Sequence, residues 1–159
     1  IPGILLALAI AAALGPSLFN IVLAVAVSSV PGYARVMRAQ ILSIKNRTFV
    51  KAAASIGASP WSIFWKHVLP NSLSPLLVMA AVGIGTSILT GSGLSFLGLG
   101  IQPPTPSWGN MLNAAQSLQV LVNEPWVWIG PGAAIGLTVL SINFLGDGLR
   151  DALDPHSKG

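Results

Sequence analysis

Apolar residues run almost unbroken from Ile4 to Val30, from about Ser72 to Leu99 and from about Trp126 to Leu145, and polar residues gather between these stretches. The first stretch is interrupted at Gly15-Pro16-Ser17, a glycine stop followed by proline, which is the usual grammar of a tight turn between two helices. A helix needs ~20 residues to cross a hydrocarbon core. The pattern therefore predicts spans over 17–35, 72–99 and 126–146, preceded by a shorter helix over 2–14. At 1.5 Å rise per residue the segment Pro2 to Leu14 reaches only roughly 20 Å of the ~30 Å required. It is expected to be the truncated end of a further span. The fold class this implies is all-α: a polytopic transmembrane helical bundle with three full spans and one truncated N-terminal helix. The span over 72–99 carries Gly83, Gly85, Ser87, Gly91, Ser92, Gly93 and Ser95. Small residues let helix backbones approach closely in lipid, so this span is expected at the centre of the bundle.

Charge turns the pattern into a topology. Only 8% of the 159 residues are charged, against about 25% in a soluble domain, which excludes an ordinary water-soluble globule and equally a disordered chain. Six of the eight basic residues lie between Arg35 and Lys66, whereas the segment 100–125 contains no Lys or Arg. Loops rich in Lys and Arg stay in the cytoplasm. The segment from Arg35 to Lys66 and the tail 147–159 are thus expected inside, and 100–125 is expected to be an external loop. Trp108, Trp126 and Trp128 then fall at the outer interface and Trp61 and Trp65 near the inner one, where indole rings prefer to sit. The net charge of +4 is accounted for by this asymmetry, and no nucleic-acid partner is expected. With no cysteine in the chain, disulfides, thiolate metal sites and cysteine nucleophiles are excluded.

The cytoplasmic segment carries the most information. Thr48 to Ile56 reads as a short helix with Phe49, Val50, Ala53 and Ile56 on one face. Gly57 stops it, Ser59 caps a second helix with Pro60 at its first position, and that helix runs to a turn at Pro70. The result over 48–66 is a helix-turn-helix at the inner membrane surface. Ala52, Ala53, Ala54 and Gly57 leave it a surface without large side chains, which suits insertion into a groove on another protein. An interfacial helix resting on lipid fits the same Lys and aromatic residues. A DNA-reading helix-turn-helix is not supported, because the segment is tethered between spans and lacks polar base-contacting residues.

The residues of this segment and three others carry a family resemblance. Val50-Lys-Ala-Ala-Ala-Ser-Ile-Gly57, followed by His67-Val-Leu-Pro-Asn71, resembles the "EAA" loop of binding-protein-dependent ABC importer permeases. Leu94-Ser-Phe-Leu-Gly-Leu-Gly100, Gln102-Pro-Pro-Thr-Pro-Ser-Trp-Gly109 and Asn143-Phe-Leu-Gly-Asp-Gly-Leu-Arg-Asp-Ala-Leu-Asp-Pro155 resemble the dipeptide, oligopeptide and nickel branch, in its C-type subunit. The resemblance runs end to end with four motifs in order, and it matches the C-terminal portion of a permease that crosses the membrane about six times. It implies an integral component of a bacterial or archaeal inner membrane. It also implies a second permease subunit, two ATP-binding subunits at the cytoplasmic loop and an extracytoplasmic substrate-binding protein as partners. Carried over residue by residue, the ATPase-docking positions of the coupling helix are Lys51, Ala52, Ala53 and Gly57, with Ala58 beside them. Lys51 departs from the family, which usually has Glu there, so any ionic contact at that position would be reversed.

Other chemistry is sparse. No Gly-Lys-Ser/Thr follows any glycine cluster, so the chain is not expected to bind ATP itself; the resemblance implies that partner subunits bind it and that this chain holds no cofactor. His67 and His156 are too few and too far apart to suggest a metal site, and no Ser, His and Asp arrangement suggests catalysis. Asn143 and Asp147 lie near the end of the last span, where a pathway role competes with a helix-end cap or an Asp147 to Arg150 pair. The proline-rich stretch Gln102 to Gly109 is stiff and external, a candidate face for the binding protein. A secondary transporter or channel would show ionisable residues in mid-span for ion coupling, and this chain has none. A membrane assembly protein with no transport role is the remaining rival.

Overall fold

The computed structural model describes residues 2–153, with side chains described for all of these except Ser74 and residues 149–153. Among the described residues every regular element is helical: α1 (Gly3–Leu14), α2 (Leu18–Lys45), α3 (Thr48–Ser55), α4 (Pro60–Ile63), α5 (Leu69–Phe96), α6 (Trp108–Ala114), α7 (Leu118–Asn123) and α8 (Trp126–Leu153). Three stretches are long and apolar enough to cross a membrane: Leu18–Lys45, Pro75–Phe96 and Trp126–Gly148. The short apolar α1 accompanies them, as the hydropathy pattern predicts.

The element boundaries depart from the sequence reading in several places. First, α2 continues ten residues past Arg35 to Lys45. The bilayer needs only ~20 residues, but Ile41 and Ile44 in the extension have an apolar cluster of their own to join, so the helix does not stop where the hydrocarbon does. Second, the segment 100–125 contains the two short helices α6 and α7. Each begins with a serine whose Oγ accepts from a backbone N–H three residues on, Ser107 from Asn110 at 3.1 Å and Ser117 from Val120 at 3.3 Å. Third, α8 runs into the expected tail as far as Leu153. Residues 154–159, with His156, and the Arg150 side chain lie outside what is described, and so does the expected Asp147 to Arg150 pair.

The chain divides into two compact units. The first takes in the described residues up to Ser29 together with Val82–Leu145. Its buried core is Ala7, Ala11, Ile21, Ala24 and Leu94. Ala7 and Ala11 are four apart, so both lie on the same face of α1 and keep it slim enough for close packing. The turn between α1 and α2 is fastened by Asn20, whose Nδ2 donates to the Leu14 and Gly15 carbonyls at 2.8 and 2.9 Å, while Ser17 Oγ accepts from the Asn20 N–H. α5 ends in a paired cap: Gly98 has φ +77°, its N–H bonds the Ser95 carbonyl, and the Leu99 N–H bonds that of Leu94 at 2.9 Å. Beyond the cap the chain folds back on α5. Gly109 lies so close that a Cβ there would strike the Ser92 carbonyl and the Ser95 side chain. Gly109→Ala is therefore expected to destabilise the full-length protein by about 1–3 kcal/mol through overpacking. Gly136→Ala on α8, where a Cβ meets open space, is expected to leave thermal unfolding unchanged.

The second unit takes in Val30–Ala81 and the described part of Gly146–Gly159. Here α2 and α5 meet where Tyr33 Oη donates to the Met79 carbonyl at 3.4 Å. A Cβ on Gly32 would sit 3.6 Å from Met79 Cε. The expected turn at Pro70 is absent. α4, the residues Phe64–Val68 and α5 form one uninterrupted helical path from Pro60 to Phe96, because Phe64–Val68 is a widened, π-helical turn in which the Leu69 N–H bonds the Phe64 carbonyl five residues back. Proline lacks an N–H and its ring crowds the carbonyl four residues before it. The widened turn accommodates the proline, and next to it Asn71 Nδ2 donates to the His67 carbonyl and Ser72 Oγ to that of Val68, each at 2.7 Å.

Candidate functional site

The segment between α2 and α5 is built from local rules that each residue obeys. α3 ends in the same paired cap as α5: the Gly57 N–H bonds the Ala54 carbonyl at 3.0 Å and the Ala58 N–H that of Ala53 at 3.1 Å. This geometry requires a left-handed residue, and Gly57 supplies it with φ +86°. Two residues on, Ser59 Oγ accepts from the Ser62 N–H at 3.2 Å and Pro60 opens α4. The four residues Ile56 to Ser59 thus reverse the chain with both helix ends satisfied.

What holds this hairpin to the rest of its unit is one apolar cluster. Ile44 from α2, Val50 from α3 and Val68 are buried, and Ile41, Ile63 and Phe64 pack against them. Phe49 rests beside the His67 ring, centroids 6.3 Å apart. With Val50 turned inward, only 6% exposed, the opposite side of α3 is left to the surroundings. Lys51, Ala52, Ser55 and Ile56 are all exposed there.

Of the five residues assigned to docking, Lys51, Ala52 and Gly57 are exposed, while Ala53 and Ala58 are half-buried. The paired cap brings Ala53, Gly57 and Ala58 together at one end of the hairpin. A Cβ on Gly57 would meet nothing within 4 Å among the described residues, so the space in front of it is open there. Ile56 corrects the sequence reading. The sequence reading puts it on one face with Phe49, Val50 and Ala53, yet it is 86% exposed, and Phe49 is 43% exposed. Steps of three residues drift by about 60° each on a helix of 3.6 residues per turn, so Ile56 ends roughly 120° from Val50 and faces outward. An exposed isoleucine between two turns is a signal that periodicity alone misreads.

A second exposed feature lies on the next turns. Trp61 and Phe64 stack with centroids 6.0 Å apart, and Trp65 meets both edge-on at 6.0 and 5.4 Å. Trp61 and Trp65 are 71% and 52% exposed. Together with Ile56 they give this unit an apolar exterior beside the small-residue surface.

The other candidates are scattered. Asn143 lies against Gly85, where a Cβ would come within 3.2 Å of its Oδ1. Asp147 is exposed. Among the described residues no group of three or more His, Asp or Glu could hold a metal ion.

Comparison with known proteins decides what kind of chain this is. Residues 1–159 match the family described as "binding-protein-dependent transport system inner membrane component". The chain belongs to this family. It is similar to the glutathione transport system permease protein GsiD of Escherichia coli O1:K1 / APEC, of Shigella flexneri serotype 5b (strain 8401) and of Shigella boydii serotype 4 (strain Sb227). It is 52% identical to each over 158 residues, covering 99% of this chain and 52% of the relative. The chain thus spans about half the length of the curated relatives it matches. Its family is one of inner membrane components, in keeping with its three membrane-length helices and with the all-helical bundle expected from hydropathy.

Proposed function

We propose that this chain is the C-terminal portion of a permease subunit in an ATP-driven importer, and that the α3–α4 hairpin is where the ATP-binding subunits engage it. The observation that carries the reading is the outward surface of α3: small and open at Ala52 and Gly57, flanked by the exposed Ile56, on a hairpin whose opposite face is fixed by the Ile44, Val50 and Val68 cluster. Such a surface admits a partner's groove and passes on displacement, because its own backing is rigid. The chain does no chemistry in this reading. ATP is bound and hydrolysed by the partner subunits, nucleotide biases the transporter toward one global state by binding it better, and the hairpin delivers that bias to the spans. A second permease subunit completes the pathway and an extracytoplasmic binding protein delivers the solute. The 52% identity to glutathione permeases supports a peptide or related small solute as cargo.

The test is assembly. The full-length permease, purified from membranes, is expected to carry an ATP-binding subunit with it, and a transporter that takes up solute with no such subunit would favour the secondary-transporter reading instead. Lys51 supplies a finer check. Its exposed side chain replaces the family's usual Glu, so Lys51→Glu is expected to weaken uptake several-fold if the partner has adapted with an acidic residue, and charge reversal on that partner residue is expected to restore it.

A further inference from the structure

We propose that Pro70, acting through the widened turn Phe64–Val68, is a positioning residue that fixes the rotational register between the hairpin helix α4 and the start of α5. The inference rests on reading the hairpin as the coupling element. In a regular helix residues four apart share a face, while residues five apart do not. In the widened turn the closing bond reaches five residues back, from the Leu69 N–H to the Phe64 carbonyl, so residues five apart come onto one face. Ile63 and Val68 are five apart, and both join the cluster formed with Ile44 and Val50. Without the extra residue in this turn, Ile63 would swing away from Val68 by about 100°, the advance of one helical residue. The same swing would carry Trp61 and Trp65, now exposed, toward the cluster.

Pro70 is what keeps the turn wide. A regular helix would require an N–H at position 70 donating to the Lys66 carbonyl, and proline has none. On the two positions that follow, side chains reinforce the turn: Asn71 Nδ2 donates to the His67 carbonyl and the buried Ser72 Oγ to that of Val68. The hairpin is therefore locked to α5 at one angle by a defect, and its tip faces away from the cluster only at that angle.

The experiment uses the full-length permease, alone for labelling and in its assembled transporter for uptake. The single substitutions Trp61→Cys and Ile63→Cys, in a chain with no cysteine of its own, report which side of α4 is accessible to a water-soluble maleimide. The Trp61→Cys variant is expected to react at least tenfold faster than Ile63→Cys. Deleting Lys66 removes the extra residue and is expected to bring that ratio to one or below, with uptake per ATP falling at least tenfold while the ATP-binding subunit still co-purifies. Pro70→Ala, which restores the missing donor, is expected to lower the ratio several-fold. An unchanged ratio in Pro70→Ala overturns the proposal, even where the deletion fails to assemble. The coupling reading fails separately: if Gly57→Trp leaves uptake intact while Pro70→Ala still lowers the ratio, the register device stands and the hairpin's partner is something else.

Discussion

Gly57→Trp in the assembled transporter is expected to abolish solute-stimulated ATP hydrolysis, a loss of more than tenfold, while basal hydrolysis by the ATP-binding subunits persists. Two effects combine at this position. Gly57 has φ +86°, a left-handed conformation that costs an ordinary L-residue about 1–2 kcal/mol, so any side chain loosens the cap between α3 and α4. A Cβ there also meets nothing within 4 Å among the described residues, so the indole is expected to project into the space the partner is proposed to occupy. The two effects separate by choice of residue. Asn tolerates the left-handed region better than other residues, so Gly57→Asn is expected to keep the hairpin and most of the coupling, and Gly57→Ala to fall between. Equal activity of Trp and Asn variants would move the docking surface elsewhere on the hairpin.

The second large effect is expected at Val50. Its side chain is buried with Ile44 and Val68, in a cluster that ties the hairpin to the extension of α2 and to the start of α5. Val50→Ala leaves a small void and is expected to cost about 1–3 kcal/mol. Val50→Asp sets a carboxylate among apolar groups in a stretch of 123 residues that contains no other acidic side chain. A buried charge without a partner is far more costly than a void, so the cluster is expected to open. Hydrogen exchange over residues 48–68 should then accelerate, and the ATP-binding subunit should no longer co-purify, although the spans insert as before. Retained co-purification with fast exchange would mean that the docking surface does not depend on its backing.

Most of the architecture was legible in the chain because lipid imposes a one-dimensional rule. A run of ~20 apolar residues must be helical where no water can satisfy its backbone, and three such runs appear as α2, α5 and α8. Local capping was legible for a similar reason. Gly57, Ser59 and Pro60 each act within four residues of themselves, and all three do what their types prescribe. The positions proposed for docking, Lys51, Ala52 and Gly57, fall on an exposed surface, but what they are proposed to touch belongs to another chain.

What the sequence determined by itself, then, is the bilayer as solvent, the number of membrane-length helices, the hairpin between two of them and the family to which the motifs belong. Tertiary structure decided the rest. Whether α2 stops at Arg35 or runs on to Lys45 depends on whether Ile41 and Ile44 find apolar company, and that company comes from residues 50 to 68. Whether Pro70 ends a helix or sits inside one depends on a widened turn, whose Ile63, Phe64 and Val68 pack into that cluster. Ile56 is likewise an inner or outer residue only once Val50 has fixed which way α3 faces. Periodicity and capping act over one or two turns of helix, whereas these three outcomes were set by a cluster gathered from three successive helical segments between residues 41 and 68.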